Sequence, residues 1–520
     1  MKKMLTILGF LFISIQLFSI GNESKTFESL EMYSNILGQN IKYSICLPAG
    51  YDTSKDEYPV VYLLHGLGDN ETAWVEYGRI SQIADKAVED GEIVPMIFVI
   101  PQGFRGYYVN FYDGSFNYQD MFIQELIPYI ESNYRVKNDR QHRATIGYSM
   151  GGYGALILPL MNPDVFSACV PLSISVRTDE QYMTEDPKGW DDQWGRIFGG
   201  VGTYGEDRIT EYYKQNSPFH IVANADPKMF SQLNIYIDNG DDEQTLAFSN
   251  EELHILLRDK NIPHEFRVRN GGHEFRLWRE ALTNGLRYLS DAFENKPYRG
   301  DIIPNLSIKT ELNQSLKTIE IAGKSYEHFT PIGYESSSRL YPVLYIFSDL
   351  QKPEKEHIIT FINELIETTE IPALEVLFIP SDEKNLSNII IPSMENEFKA
   401  RKGFRFRAII GIGEGGENAL ISAMNPEQFT SCAIFDASGD YEKIKYTFLE
   451  IGPKSLERTW FYIDNPDKGP NYSYNGKIHM LFREKSFYHE YRVSEGEGGF
   501  PWLINRLEEA LKFTANKIHR

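Results

Sequence analysis

The sequence predicts two consecutive three-layer α/β domains, each with a mostly parallel sheet covered by helices on both faces. The chain has 520 residues, more than one hydrophobic core usually supports. Short apolar runs such as Val60–Leu64 alternate with amphipathic stretches such as Tyr118–Tyr134, an alternation typical of parallel sheets. Several motifs of the first half also recur in the second half, which indicates a duplicated domain.

The predicted strands of the first half are short and rich in β-branched and aromatic residues. In chain order they are Val60–Leu64, Met96–Ile100, Ala144–Tyr148, Ala168–Leu172, Leu233–Ile237 and Glu265–Arg269. The predicted amphipathic helices between them are Tyr118–Tyr134, Gly151–Met161 and Ser249–Lys260. Because ligands of such sheets bind beyond the carboxyl ends of the strands, we expect the functional residues to follow these runs.

The repeat rests on motifs that recur in the same order in both halves. The pairs are Pro48–Tyr51 with Pro331–Tyr334, Arg143–Gly147 with Arg407–Gly411, Met161–Pro163 with Met424–Pro426, and His264–Val268 with His489–Val493. We therefore expect residues 22–296 and 297–520 to be two copies of one domain, joined near Lys296–Pro304.

Residues 1–21 resemble a secretory signal. Lys2 and Lys3 precede the apolar run Met4–Ile20, and Ser19-Ile20-Gly21 offers a cleavage site before Asn22. An uncleaved membrane anchor is the alternative interpretation of this run. We expect a secreted or periplasmic protein that is not stably inserted in a membrane once the signal is removed.

Charge and cysteine content argue against two classes of protein. The formal net charge is −21 and the pI is about 5.1, so a nucleic-acid backbone would be repelled. Cys46, Cys169 and Cys432 lie far apart in apolar runs, which predicts buried thiols rather than a disulfide framework.

The run Gly147–Gly152 has the G-x-S-x-G pattern of a nucleophile elbow, in which a sharp strand-to-helix turn exposes a serine. It follows a predicted strand and begins a predicted helix, as the elbow requires. Ser149 is therefore the predicted nucleophile. The start of the helix also places partial positive charge and free backbone N–H groups beside it.

An oxyanion hole is predicted around two backbone N–H groups. In folds with this elbow, one donor follows the nucleophile, here Met150, and the other lies in the loop after an earlier strand, here Leu67 or Gly66. His65 precedes that loop. We interpret His65 as a structural residue that holds the loop. The alternative roles are general base and substrate contact.

The predicted general base is His273, which ends a glycine-rich loop after the last strand. His264 is the alternative, but its recurrence as His489 indicates a structural role. In chain order, the acid must lie between the nucleophile and the histidine. The loop Asp238–Glu243 offers four carboxylates, and spacing alone does not distinguish them.

These residues resemble the esterase D-like carboxylesterases of the α/β-hydrolase superfamily, a group that includes feruloyl and acetyl-xylan esterases, S-formylglutathione hydrolases, enterochelin-type esterases and mycolyltransferases. The resemblance covers roughly residues 37–294. The motifs that carry it are Tyr58–Gly66, Gly147–Gly152, Asn162–Cys169, Asp238–Asp242 and Ile262–His273.

The resemblance implies a serine esterase that forms an acyl-enzyme and needs no metal or organic cofactor. In that family the acid is an aspartate three residues after the loop glycine. Glu243 stands at that position here, so either Glu243 or Asp242 is expected to be the acid.

The second copy lacks the predicted chemistry, since Gly413 and Gly498 stand where the first copy has Ser149 and His273. We expect a degenerate domain that stabilises or covers the first copy, or alternatively binds substrate or a partner.

The first copy also has extra residues before the acid loop, which predict a cap over the site. Aromatic side chains of this segment and of a neighbouring loop are candidate substrate contacts or core residues of the cap, namely Trp190, Trp194 and Tyr108.

Taken together, these features predict an exported serine carboxylesterase acting on acetyl or feruloyl esters of carbohydrate, with a small-molecule or polysaccharide-linked ester as substrate. The substrate class follows from the resemblance and the export signal. A hydrolase of siderophores or other small esters is one alternative. A non-catalytic carbohydrate-binding or scaffold protein is another.

Overall fold

The computed structural model describes residues 24–302, 316–331, 334–335, 340–368 and 370–518. These residues form one continuous sheet of 16 strands with helices on both faces. The predicted signal segment and the end of the predicted linker lie outside the described residues. The mostly parallel α/β architecture predicted from the sequence is confirmed.

The strands of the first half are β1 (Lys25–Ser34), β2 (Gln39–Leu47), β3 (Val60–Leu64), β4 (Ile97–Pro101), β5 (Arg143–Tyr148), β6 (Ala168–Leu172), β7 (Asn234–Gly240) and β8 (Glu265–Arg269). Their spatial order is β1-β2-β4-β3-β5-β6-β7-β8. Strands β1, β2 and β4 pair antiparallel, and β4 through β8 pair parallel. The carboxyl ends of β3, β5, β6, β7 and β8 therefore meet at one edge.

The strands of the second half are β9 (Lys317–Ile321), β10 (Lys324–Phe329), β11 (Val343–Phe347), β12 (Glu375–Ile379), β13 (Arg407–Ile412), β14 (Ser431–Phe435), β15 (Trp460–Pro466) and β16 (Glu490–Ser494). Their order, β9-β10-β12-β11-β13-β14-β15-β16, repeats that of the first half. Strand β16 pairs antiparallel with β8 through Val493 and Val268. Each half thus covers the sheet edge of the other.

The helices of the first half are α1 (Ala73–Glu76), α2 (Ile80–Glu89), α3 (Tyr118–Met121), α4 (Ile127–Asn133), α5 (Met150–Met161), α6 (Asp179–Thr184), α7 (Pro187–Gly189), α8 (Arg196–Phe198), α9 (Glu211–Asn216), α10 (Pro218–Asn224), α11 (Thr245–Asp259) and α12 (Phe275–Phe293). Those of the second half are α13 (Lys352–Glu367), α14 (Ile391–Glu397), α15 (Gly415–Ala423), α16 (Tyr441–Ile451), α17 (Tyr472–Glu484) and α18 (Phe500–Lys517).

Short 3₁₀ and π segments complete the helical structure. The π segments are Phe122–Leu126, Trp190–Gly195 and Leu386–Ile390. The 3₁₀ segments are Arg140–His142, Gly205–Arg208, Pro227–Phe230, Phe404–Phe406 and Pro453–Leu456.

Two helix predictions differ from the structure. The stretch predicted as one helix, Tyr118–Tyr134, is interrupted by the π segment Phe122–Leu126. Helix α5 is not amphipathic, because every residue from Met150 to Leu160 is buried. On the side away from the sheet, α5 contacts α10, and the Tyr153 hydroxyl donates to the Asn216 carbonyl, so the segment that follows β6 covers α5.

The three cysteines are buried and carry free thiols, as predicted. Within the described residues, no helix combines the length and apolar character that crossing a membrane requires.

Candidate active site

Ser149 lies in a sharp turn between β5 and α5, at the carboxyl edge of the sheet. Its backbone has φ 59° and ψ −120°, a conformation that L-residues rarely adopt. Neighbouring chain holds this conformation in place. The Ser149 N–H donates to the Leu172 carbonyl at 3.0 Å, and the Ser175 N–H donates to the Ser149 carbonyl at 3.0 Å. The strained backbone agrees with the predicted nucleophile elbow.

The two flanking glycines of the motif are required by close backbone contacts. A Cβ atom on Gly147 would lie 2.0 Å from the Gly151 carbonyl oxygen. A Cβ atom on Gly151 would lie 2.0 Å from the Leu64 carbonyl oxygen. The turn can therefore pack against β3 only when both positions lack a side chain.

The predicted oxyanion-hole donors lie on the two loops that adjoin Ser149. Met150 is the first residue of α5, while Gly66 and Leu67 follow β3, which pairs directly with β5. Gly66 is also required by packing, since a Cβ atom there would lie 2.5 Å from the Tyr148 ring. This arrangement is compatible with the predicted hole, which stays a prediction.

His65 holds the loop that carries the predicted donors. Its Nδ1 lies 2.8 Å from the Gly66 carbonyl, and its Nε2 accepts a hydrogen bond from the Gly103 N–H at 2.7 Å. Burial lowers the pKa of His65, so the neutral ring donates from Nδ1. The side chain is fully buried with both nitrogens engaged. The structural interpretation therefore fits, and the rival roles as base and substrate contact do not.

Glu243 is the carboxylate that contacts His273. Its Oε2 lies 3.1 Å from His273 Nδ1, and its Oε1 accepts from the Gly240 N–H at 2.8 Å and the Ser173 hydroxyl at 2.5 Å. The two residues follow the adjacent parallel strands β7 and β8, which brings their loops together. With Nδ1 facing the carboxylate, Nε2 is left to act as the base.

The other three carboxylates of the acid loop bind arginines instead. Asp238 accepts from Arg269 Nε at 2.7 Å and Asp241 from Arg492 Nη1 at 2.6 Å. Asp242 contacts Arg483 Nη2 at 2.7 Å. Arg483 and Arg492 both belong to the second half of the chain. Of the two acids left open by the sequence, the geometry favours Glu243.

Ser173 and Trp278 belong to the site but carry no motif. The Trp278 indole N–H donates to Ser173 Oγ at 2.7 Å, and the Ser173 hydroxyl in turn donates to Glu243. The indole also meets the His273 ring edge-to-face, with ring centres 5.0 Å apart. Both side chains thereby orient the acid and the base. The one local signal for Ser173 is its position directly after β6.

The predicted substrate contacts Trp190, Trp194 and Tyr108 are buried. The Trp190 indole donates to the Gly200 carbonyl at 2.8 Å, and the Trp194 ring packs 5.0 Å from the Tyr182 ring. Tyr108 donates to the His65 carbonyl at 2.9 Å. The expectation of substrate contact is therefore corrected in favour of the alternative, in which the two tryptophans form the core of the cap.

A cleft of about 1400 Å³ opens beside the acid loop, between the cap, α11 and the second half. Gln244, the residue after Glu243, lies in its wall together with Phe219 and Phe248. Phe487 and Tyr488 of the second half form the opposite side. The lining mixes these aromatic side chains with charged and polar ones, and neither Ser149 nor His273 is part of it.

The second half has a turn similar to that of Ser149, with a glycine at the predicted position of the nucleophile. Gly413 has φ 56° and donates its N–H to the Phe435 carbonyl at 3.0 Å, as Ser149 does to Leu172. At the position of the base, a Cβ atom on Gly498 would lie 2.5 Å from Asp436 Oδ2. The backbone of this site thus resembles the first one, while its chemistry is absent at both positions.

The part of the chain that contains the site is similar to known proteins. Residues 34–289 match the model of the family described as "Putative esterase". A protein of Xylanibacter ruminicola named endo-1,4-beta-xylanase/feruloyl esterase is 33% identical over 168 residues, which are 31% of this chain and 23% of that protein. An esterase of Mycobacterium tuberculosis is 28% identical over 265 residues, 47% of this chain and 54% of that protein.

Among solved structures, a ferulic acid esterase is 30% identical to this chain, with 52% of this chain and 99% of that chain covered and a TM-score of 0.44. The chain spans about a quarter and about half of the length of the two curated relatives above. The matched segment, residues 34–289, contains Ser149, Glu243 and His273.

Proposed function

We propose that this chain, whose residues 34–289 match the family described as "Putative esterase", is an exported serine esterase that removes acetyl or feruloyl groups from carbohydrate. The observation that carries the proposal is the contact between the buried Glu243 carboxylate and His273 Nδ1, on the sheet edge that presents Ser149.

The reaction proceeds by acyl transfer in two steps. Ser149 Oγ attacks the ester carbonyl while His273 Nε2 takes its proton, and the Leu67 and Met150 N–H groups stabilise the oxyanion. The imidazolium, held by Glu243, then protonates the departing alcohol. A water molecule attacks the acyl-enzyme with His273 again as the base, which releases the acid and restores Ser149.

The carbohydrate ester is supported by one observation. The Xylanibacter relative is named endo-1,4-beta-xylanase/feruloyl esterase. Export rests on residues 1–21 of the sequence.

We further propose that the second half is a degenerate copy of the first. The repeated strand order and the retained turn at Gly413 support a common origin. Glycine at both the nucleophile and the base positions removes the reaction from this copy.

A panel of esters tests the proposed function. We expect purified protein to hydrolyse nitrophenyl acetate and either methyl ferulate or acetylated xylan, and we expect Ser149→Ala to lose the turnover. A phosphonate probe should label the wild type and not the variant. Preference for small esters over acylated sugars would favour a siderophore-type hydrolase. Turnover that persists in Ser149→Ala would refute the mechanism, and no turnover at all would favour a binding protein.

A further inference from the structure

Asp241 joins the loop of the acid to the loop of the base. Its Oδ1 accepts a hydrogen bond from the Gly271 N–H at 3.1 Å, and the Asp242 N–H donates to the Gly271 carbonyl at 3.0 Å. Asp241 lies two residues before Glu243, and Gly271 lies two residues before His273. These contacts therefore set the distance between the two catalytic loops.

The second half of the chain binds the other oxygen of the same carboxylate. Asp241 Oδ2 accepts from Arg492 Nη1 at 2.6 Å and from the Tyr491 N–H at 3.1 Å, both on β16. Arg492 is itself held by Glu490 at 2.6 Å and Glu509 at 2.8 Å. The whole fork of the guanidinium is thus engaged and cannot rotate freely.

The Asp241–Arg492 pair is buried, with 1% and 4% of the two side chains exposed. Burial raises the pKa of Asp241 to about 6, and the positive charge of Arg492 opposes that rise. Without the guanidinium, a buried carboxylate would have no charged partner, so the loop would have to move or the carboxyl would have to take up a proton. Either change would alter the contacts to Gly271.

We propose that Arg492 is a positioning residue for the catalytic site, through which the second half of the chain holds the Glu243 and His273 loops in register. The proposal rests on the proposed esterase function. It gives the second half a role in catalysis although that half has neither nucleophile nor base.

The fold contains a matched control for this role. Across the junction of the halves, Arg267 Nη1 of β8 contacts Asp467 Oδ2 at 2.7 Å, with 2% and 0% of the side chains exposed. Asp467 Oδ1 accepts from the Gly496 N–H at 3.0 Å, as Asp241 does from Gly271. This second pair has the same geometry and burial, but the loops it joins belong to the half without a triad.

The experiment compares Arg492→Met, Arg492→Lys and Arg267→Met in the full chain, with thermal unfolding and with kcat and KM for nitrophenyl acetate. We expect Arg492→Met and Arg267→Met to lower the Tm by similar amounts. Arg492→Met should lower kcat by about 10- to 100-fold with KM within about twofold, because displaced catalytic groups lose rate rather than ground-state binding. Arg267→Met should keep kcat within about threefold.

The lysine variant keeps the proposal testable if Arg492→Met does not fold. Lysine retains the charge but not the fork, so we expect a kcat between those of wild type and the methionine variant. The proposal would be overturned if Arg492→Met and Arg267→Met lost kcat equally. It would also be overturned if both Arg492 variants kept the wild-type kcat. Failure of the esterase function itself would appear separately, as wild-type turnover that is absent or that survives Ser149→Ala.

Discussion

Glu243 contacts His273 Nδ1 at 3.1 Å, with its carboxylate fully buried and 39% of the histidine side chain exposed. The acid is thus shielded from water while the base stays accessible to substrate. Such an acid fixes the tautomer of the imidazole and stabilises its protonated form. The neighbouring Asp242 is 41% exposed and contacts Arg483 instead of His273. Burial and partner therefore distinguish the two candidate acids.

The first prediction therefore contrasts these adjacent acids. Glu243→Gln should lower kcat by about 10³- to 10⁴-fold, because a neutral amide neither stabilises the imidazolium nor enforces the correct tautomer. Asp242→Asn should stay within about threefold of wild type, since it removes an exposed ion pair. Steady-state hydrolysis of nitrophenyl acetate checks both variants. A larger loss in Asp242→Asn than in Glu243→Gln would identify Asp242 as the acid.

The second prediction concerns Ser173, which links Trp278 to Glu243. Ser173→Ala leaves the buried indole N–H without its acceptor and removes one donor from the acid. We expect a loss of about 1 to 3 kcal/mol in unfolding free energy and roughly a tenfold lower kcat. Ser167→Ala is the control, because Ser167 donates to the Gln141 carbonyl at 2.9 Å at the opposite edge of the sheet. It should affect stability but not kcat, and equal kcat in the two variants would contradict the role of Ser173.

How far the sequence predicts this site differs from residue to residue. The sequence predicts Ser149 and His273 because an elbow and a glycine-rich loop leave local patterns in the chain. Ser173 leaves no such pattern, since its contact with Glu243 depends on how β6 and β7 are placed side by side. The choice between Glu243 and Asp242 likewise depended on an arginine more than 200 residues away.

The same distinction applies to the fold. Alternating strand and helix patterns predicted the α/β layers, and repeated motifs predicted two similar halves. The joining of both halves into one sheet at Val268 and Val493 was not predicted, because edge pairing depends on surface complementarity and has no periodic signal. Composition does not show which aromatic side chains a cap buries, so the sequence alone does not distinguish core residues such as Trp190 and Trp194 from substrate contacts.

The third prediction is a pH dependence of stability that originates at the junction of the halves. Glu251 of α11 accepts a hydrogen bond from the Tyr491 hydroxyl at 3.1 Å, and burial raises the pKa of Glu251 from 4.5 to about 8. Because the folded-state pKa is the higher one, the folded state retains a proton that the unfolded state has lost. The stability from this group is thus complete below about pH 4.5 and is lost as the pH rises to about 8.

Glu251→Gln removes this titration while keeping the size of the side chain. We expect the unfolding free energies of wild type and variant to be more similar at pH 5 than at pH 8. Between these pH values, the unfolding free energy of the variant should rise relative to that of wild type by up to about 1.4 kcal/mol per pH unit. Urea unfolding at a series of pH values measures the difference. A constant difference across the series would show that Glu251 does not titrate in this range.

The fourth prediction is that the second half has less room at the position of the general base than at the next residue. Gly498 and Gly499 both have positive φ values, 91° and 79°, but they differ in their surroundings. A Cβ atom on Gly498 would lie 2.5 Å from Asp436 Oδ2, whereas the nearest atom to one on Gly499 is 3.9 Å away. Gly499→Ala should therefore lower the unfolding free energy by about 1 to 2 kcal/mol because of backbone strain. Gly498→Ala should lower it by about 1 to 3 kcal/mol more because of the collision.

The same collision affects what introducing a serine and a histidine into the second half would do. In a Ser149→Ala background, Gly413→Ser combined with Gly498→His should give no esterase turnover. The Asp436 carboxylate crowds the position of the imidazole, and Gly469, which stands in the repeat where the first half has Glu243, provides no acid. The retained turn at Gly413 would then present a serine without a base, which is a weak nucleophile. Phosphonate labelling and nitrophenyl acetate hydrolysis measure the outcome. Turnover above that of Ser149→Ala would mean that this half has kept a usable acid–base arrangement, contrary to the packing around Asp436.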